Sequence, residues 1–327
     1  MHGTVVAVLR GGPSSEHEVS LRSGHTVLAH LNEELYTPRD IYIDKQGVWF
    51  ERGRETTPER VLPSSDAVIV MLHGAYGQDG EVQKLLEQYG VPYTGATPWG
   101  CHASAHKVMA KVQLEKAGLL TPKYRYVESV GDIDAIVNDV IRTFAQPVVV
   151  KPVDSGSSVG VSLAGGYADV YAAVRDLFSA GTRGVLIEER IRGTEATVGV
   201  VDGLRGEELY ALPPVEIIPP ESAAFFSYDA KYSGASREVC PGRFPRKVTE
   251  ELMEAARLAH RELGLRHYSR SDFIVSPKGI YYLETNNAAA VGMTTESLFP
   301  KSLEAVGVSM PDFLTHVITR TVHPSHV

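Results

Sequence analysis

The sequence predicts an α/β fold, with a parallel sheet and crossover helices in its N-terminal part and strand-rich structure later. Three observations carry this. Thr4 to Leu9 is a β-branched apolar run that passes into a polar, glycine-containing loop and then a helical pattern, as a buried strand and its crossover do. Apolar segments of strand length recur at 67–72, 147–152 and 185–189, with helical patterns between them. From Thr194 onward strands dominate, and the last two form a hairpin.

Taken in order, the first strand ends at Arg10-Gly11-Gly12-Pro13-Ser14-Ser15-Glu16 and a helix runs to about Leu31, burying Val19, Val27, Leu28 and Leu31. Strands follow near Asp40–Ile43, Val48–Phe50 and Ala67–Leu72. Ligands of such sheets gather at the carboxyl ends of strands. Two of these ends carry polar loops, residues 11–16 and 73–81. Tyr93-Thr94-Gly95 closes this unit, and one helix is expected from about Cys101 to Ala117, ended by Gly118. Next come a strand near Tyr124–Val127, a helix Asp132–Phe144 and the apolar strand 147–152. Loop 154–160, a strand Val161–Leu163, a helix to about Phe178 and strand Val185–Glu189 follow. An irregular segment near Ile218–Pro245 precedes a helix Thr249–Leu263, and a helix near Pro311–Thr321 comes after the hairpin.

A chain of 327 residues has room for two or three domains and a large core. Its 43% hydrophobic and 22% charged residues are ordinary for a soluble globular protein. The net charge of −8 argues against a general binder of nucleic acid or anionic membranes. Cys101 and Cys240 are the only thiols, which fits a reducing compartment and packing roles rather than nucleophiles. The N-terminus enters a strand directly, without the pattern of a signal peptide, and no stretch reaches membrane-spanning length. A cytoplasmic protein with no membrane partner is expected.

The chemistry concentrates in the hairpin. Ser269 to Val275 and Tyr281 to Thr285 flank the turn Pro277-Lys278-Gly279. Alternate strand residues share a face, so Glu284 and Asn286 point the same way, and the pairing can set Asp272 beside them. Three hard oxygen donors with two negative charges suit Mg²⁺; the plainer reading is a polar face in water. Gly156-Ser157-Ser158-Val159-Gly160 is a turn whose amides could cradle a polyphosphate, or a simple Gly/Ser turn. Lys151, at the end of a buried strand just before it, needs an anion. Lys107 and Lys231 are further candidates. Glu188 and Glu195 could accept hydrogen bonds from a ribose or an amino group, or be ordinary surface acids.

The ordered motifs resemble a known family. They are Gly-Gly-Xaa-Ser-Xaa-Glu-Xaa-Glu-Val-Ser from Gly11, His-Gly-Xaa-Xaa-Gly-Xaa-Asp-Gly from His73, and Lys-Pro with Gly-Ser-Ser-Xaa-Gly-Val from Lys151. Gly-Xaa-Glu-Xaa-Thr-Val from Gly193, Lys231-Tyr232, Arg-Xaa-Asp-Phe from Arg270 and Glu-Xaa-Asn from Glu284 complete the set. Together they resemble the D-alanine–D-alanine ligases, ATP-grasp enzymes of bacterial cell-wall synthesis, over Gly11 to Leu298. The resemblance implies a three-domain ATP-grasp fold: an N-terminal parallel α/β substrate domain (1–97), a central domain (98–187) and a C-terminal catalytic domain (188–327). ATP would lie between the last two, α+β in type, under a lid near 219–245. Lys107, Lys151, Lys231, Ser157 and Ser158 would hold its phosphates, with Glu188 by the adenine and Glu195 by the ribose. Asp272, Glu284 and Asn286 would bind two Mg²⁺ ions, with Mn²⁺ as a substitute; a monovalent cation is left open.

For the substrates, the resemblance implies that Glu16 receives the ammonium of the first D-alanine and His73 lies near its carboxylate. Arg270 would stabilise the transferring oxygens, and Gly292, Ser297 and Leu298 would receive the second D-alanine. Glu16, Ser157, Tyr232 and Arg270 would thus serve the chemistry, with Tyr232 favouring a peptide product over an ester. A homodimer is expected on the same ground. Two departures stand out. The family's Glu-Xaa-Asn-Xaa-Xaa-Pro-Gly-Met-Thr is two residues longer here, with Val291 for the proline, which predicts a more flexible turn beside the acceptor subsite. His106 stands where an acid or asparagine usually precedes the phosphate lysine. The alternatives are D-serine or D-lactate as acceptor, or a nucleotide-binding relative that no longer ligates.

Overall fold

A computed structural model of the chain describes residues 3–154, 160–219 and 236–323. β1 (Thr4–Gly11) leads through α1 (His17–His30) to β2 (Tyr36–Ile43), which pairs with it in parallel. The short strands β3 (Trp49–Glu51) and β4 (Arg54–Thr56) extend that edge antiparallel. After α2 (Pro58–Val61), β5 (Ala67–Met71) joins the other side of β1 in parallel. All five residues of β5 are buried, as a strand covered on both faces requires.

α3 (Glu81–Gln88) is followed by α4 (Pro98–Ala105) and α5 (Lys107–Lys116) where one helix was expected. The backbone leaves the helical region at His106 (φ −89°, ψ 99°). There the His106 ring Nδ1 accepts the Met109 N–H at 3.3 Å and caps α5. No glycine or proline marks this break, and the alanine-containing run reads as continuous helix.

The second sheet comprises β6 (Tyr124–Val127), β7 (Val148–Pro152), β8 (Ser162–Ala164) and β9 (Val185–Glu189), in the order β6-β9-β7-β8, all antiparallel. α6 (Ile133–Thr143) and α7 (Gly166–Ser179) pack on it. The third sheet is built on β10 (Thr194–Asp202), which pairs with β11 (Leu209–Ala211) and β12 (Val215–Ile218); β13 (Arg237–Val239) lies beyond β12. α8 (Arg246–Glu262) leads to the hairpin β14 (Tyr268–Ser276) and β15 (Gly279–Asn287), and α9 (Leu298–Ala305) and α10 (Met310–Val322) follow.

Packing does not follow the sheets one for one. Val6, Val8, Ile69 and Met71 of the first sheet share one core with Tyr268, Phe299 and Phe313. Ala103, Ala110 and Leu114 of α4 and α5 pack with Val198, Leu252 and Phe273 of the third unit. The second sheet has a core of its own, in which Val148, Val150 and Ile187 meet Val137 and Val174. Among the described residues, no helix is long and apolar enough to cross a membrane.

Candidate active site

The hairpin reaches its functional register through a bulge. From Ser276 opposite Gly279 the strands pair residue for residue to Phe273 opposite Tyr282; the register then shifts, placing Asp272 opposite Glu284 and Arg270 opposite Asn286. Leu283 is the extra residue. A regular hairpin would set Asp272 opposite Leu283 and turn Glu284 to the other face. Asp272 accepts two hydrogen bonds from the Arg270 guanidinium, at 3.0 and 2.9 Å, and one from Thr197 Oγ1 at 2.6 Å. Asn286 Nδ2 donates to it at 3.3 Å, and Lys107 Nζ lies 3.3 Å from Glu284.

Lys107 is the first residue of α5, so the break at His106 delivers it; its N–H donates to Val153 O on the neighbouring segment at 3.0 Å. Lys151 is the penultimate residue of β7 and pairs with Glu188 of β9 at 2.8 Å. The second oxygen of Glu188 lies 2.8 Å from Lys111 of α5, which is wholly buried. The carboxylate is thus shared by two cations, and any contact with an adenine must share it too. Burial pulls the Lys111 ammonium below its ordinary 10.5. Burial also works against the Glu188 charge, but the two ammonium groups outweigh it and hold the carboxyl below its ordinary 4.5. Lys111 was not among the sequence candidates, because a lysine inside a helix reads as a solvated one.

Lys107, Lys151, Glu188, Glu195, Arg270, Asp272, Glu284 and Leu298 all line one cleft of about 470 Å³ between the second and third sheets. Its apolar walls include Val149, Leu163, Ile191 and Leu283. Ser157, Ser158, Lys231 and Tyr232 lie outside the described residues.

Glu16 and His73 are brought together on the first unit, at the carboxyl ends of β1 and β5. Both are buried. Ser14 Oγ donates to His73 O at 2.6 Å, and Gly74 sits at φ +78°, where an added Cβ would meet Ser14 at 2.6 Å and Glu16 Oε2 at 3.2 Å. Glycine there lets the two loops close on each other. His73 Nε2 lies 3.0 Å from Ser23 Oγ, which also accepts the Met293 N–H at 3.3 Å. One serine of α1 therefore ties the first unit to the turn that carries Gly292. That longer turn, expected to be more flexible, is packed instead. Ala288–Ala290 form a 3₁₀ turn, and Ala288, Ala289, Val291 and Met293 are at most 2% exposed. Ser297 immediately precedes α9, its Oγ 2.8 Å from Thr294 Oγ1, and a Cβ on Gly292 would meet that oxygen at 2.7 Å.

Among the described residues no three His, Cys, Asp or Glu groups stand close enough to hold a metal ion. The oxygen set at the bulge is instead two carboxylates and a carboxamide, a hard donor set that fits Mg²⁺. The cations Arg270 and Lys107 already pair with its two acids.

Two family models, D-ala D-ala ligase N-terminus and D-ala D-ala ligase C-terminus, match residues 5–63 and 51–96, and residues 113–319. A D-alanine–D-alanine ligase of Syntrophobacter fumaroxidans is 37% identical over 319 residues, 96% of each chain. The chain belongs to the D-alanine–D-alanine ligase family. Another D-alanine–D-alanine ligase, of Desulforudis audaxviator, is 37% identical over 96% of this chain and 97% of its own. Among solved structures, the VanG D-Ala:D-Ser ligase from Enterococcus faecalis superposes with a TM-score of 0.86 at 26% identity, covering 98% of this chain and 100% of its own. The D-alanine–D-alanine ligase from Bacillus anthracis complexed with ATP gives 0.80 at 26% identity, covering 98% of each chain. The three-sheet architecture is therefore the ATP-grasp fold of the D-alanine–D-alanine ligases.

Proposed function

We propose that this protein joins two D-alanines into D-alanyl-D-alanine for peptidoglycan synthesis, using ATP and forming an acylphosphate. The observation that carries this reading is the convergence of Lys107, Lys151, Arg270, Asp272 and Glu284 on one cleft between two sheets, in a chain of this family. A carboxylate is a poor electrophile. In the first step an oxygen of the first D-alanine's carboxylate attacks the γ-phosphorus of ATP, and ADP leaves. In the second, the free amine of the other D-alanine attacks the acyl carbon, phosphate departs with the C–O bond electrons, and the proton lost by the nitrogen leaves with the phosphate.

The residues act by position and charge. Glu16 holds the ammonium of the first D-alanine at the end of β1, with His73 beside its carboxylate. Lys107 and Lys151 neutralise phosphate oxygens, and Arg270 stabilises the transferring group. Gly292, Ser297 and Leu298 receive the carboxylate of the second D-alanine. Glu195 takes the ribose and Glu188 the adenine side; Ser157, Ser158 and Lys231 keep the phosphate role that the family resemblance implies, and Ser157 and Tyr232 their part in the chemistry. Asp272, Glu284 and Asn286 are the residues that would hold Mg²⁺, or Mn²⁺ in its place, which supplies charge neutralisation on the phosphates. The domain limits 1–97, 98–187 and 188–327, a homodimer and a cytoplasmic site belong to the same reading.

A second reading, D-serine as acceptor, draws on the likeness to the D-Ala:D-Ser ligase and on the altered turn before Gly292. Phosphate release from Mg-ATP by the purified protein tests both, with D-alanine, D-alanine plus D-serine, D-lactate, L-alanine or no addition. Release dependent on D-alanine, with the dipeptide identified by mass, is expected. A preference for the mixed product moves the reading to D-serine, and ATP binding without turnover on any addition overturns ligation.

A further inference from the structure

Lys111 does not line the cleft and is wholly buried, yet it shares one carboxylate with a lysine that does. We infer that Lys111 is a positioning residue for the ligase reaction: by sharing Glu188 it leaves the positive charge of Lys151 available to the nucleotide's phosphates. This rests on the reading of Lys151 as a phosphate contact.

The argument is one of charge balance. Lys151 lies 2.8 Å from Glu188. A single buried pair of this kind is neutral, and a lysine so neutralised attracts an anion weakly. Lys111, 2.8 Å from the other oxygen, turns the pair into a trio of net charge +1. The surplus cannot be spent on solvent at Lys111, which has no exposed surface; it also meets the Pro122 carbonyl at 3.5 Å and the Tyr124 ring at 5.5 Å, and the exposed Glu115 of the same helix acts on it more weakly than Glu188 does. Lys151 is the cation of the trio that faces the cleft, beside Glu188. Three buried charges are a costly way to fill space, since apolar side chains of similar volume commonly do so at no loss of stability. The trio also spans two bodies. Glu188 and Lys151 belong to the second sheet, whereas α5, which carries Lys111, packs with the third unit. Lys111 therefore fixes the position of the Lys151 charge relative to Asp272 and Glu284 across the cleft.

The test uses the full-length enzyme and magnesium tripolyphosphate, a competitor of ATP that has phosphates but no adenine or ribose. Lys111→Gln removes the charge and keeps a hydrogen-bonding group; it is expected to raise the inhibition constant of tripolyphosphate and the KM for ATP about tenfold, with kcat changed less. Glu188→Gln is expected to lower the tripolyphosphate constant, because both lysines then keep their charge. The double variant K111Q/E188Q is expected to return close to the wild-type constant. A purely structural Lys111 gives a different pattern: the double variant is no better than K111Q, and its constant equals that of E188Q wherever both fold. Either result overturns the inference, and should K111Q fail to fold, the comparison of K111Q/E188Q with E188Q decides: a higher constant in the double variant is expected, and equal constants overturn the inference. Lys151→Met separates the two claims. Unchanged tripolyphosphate binding in K151M removes Lys151 as a phosphate contact. Weakened binding in K151M beside wild-type behaviour in K111Q removes only Lys111.

Discussion

Arg270 and Asp272 stand two residues apart on one strand, and their side chains meet as a fork, Nε to Oδ1 and Nη2 to Oδ2. Both nitrogens of this edge are used, so the guanidinium is aimed as well as charged. Lysine at position 270 keeps the charge and loses the aim. Arg270→Lys is therefore expected to lower kcat by on the order of 10²–10³-fold with little change in melting temperature. Steady-state phosphate release checks this, and a wild-type kcat would remove Arg270 from its proposed role. His106 makes a different kind of contribution. Its ring nitrogen accepts the Met109 N–H and so begins the helix on which Lys107 and Lys111 ride. Asp and Asn are strong caps, which explains why histidine is tolerated where an acid or asparagine is usual. Burial, followed by the charge of His102, pushes the imidazole below its ordinary 6.5 and favours the neutral, accepting form. His106→Ala is expected to cost about 1 kcal/mol in denaturant unfolding, and His106→Asn to cost less; equal losses would mean that the ring serves packing rather than capping.

At the scale of elements, charged residues on apolar strands were legible because a buried charge needs a partner. That reasoning reaches Lys151, Asp272 and Glu284 directly, and the strand–loop–helix order reaches the parallel first sheet. The Leu283 bulge was not legible. It carries no glycine, and the turn alone implies the regular register that would separate Asp272 from Glu284. The break at His106 and the burial of Lys111 were hidden for a related reason: both depend on what a neighbouring element places against α5. Element junctions also set a pH response. His267, at φ +66°, accepts the Gly95 N–H on its ring Nδ1 at 2.9 Å, and its backbone N–H donates to Asp202 at 2.5 Å. Burial holds its imidazole down at about 4 against the ordinary 6.5, with Asp202 opposing and Arg266 and Arg320 assisting. The folded form is thus neutral, while the unfolded chain takes a proton near 6.5. The contribution to stability is complete above pH 6.5 and is lost as pH falls toward about 4, at up to about 1.4 kcal/mol per pH unit. His267→Asn, tolerated at positive φ, is expected to flatten this part of the curve of unfolding free energy against pH. An unchanged slope would assign the acid response to other groups.

Across the whole molecule, one apolar cluster bridges the first and third units and so joins them as one body beside the second. The first and third units share one apolar cluster that includes Val6 and Phe313, whereas Val127, Val137, Val148, Val174 and Ile187 of the second sheet and its helices pack among themselves. The cleft lies between these bodies, with Val149, Lys151 and Glu188 on one wall and Glu195, Arg270, Asp272 and Glu284 on the other. A ligand that touches both walls binds only their closed arrangement, and so stabilises that arrangement by mass action. At a hundredfold excess over its dissociation constant the gain is about 2.7 kcal/mol, on the order of a hundredfold in an opening equilibrium. Opening that frees the smaller body alone is reported by its own amides. Hydrogen exchange of the full-length protein, with and without saturating Mg-ADP, is therefore expected to slow β7 and β9 by up to about a hundredfold. The amides of Val6, Val8 and Ile69, in the shared core, are expected to change much less. The ion pair between Lys111 and Glu188 crosses the same boundary, so K111Q should raise the exchange of β9 without nucleotide while leaving Val6 and Val8 unchanged. Equal protection of both bodies by Mg-ADP would show that the chain opens as one cooperative unit, and the site would then have to form without relative motion of its walls.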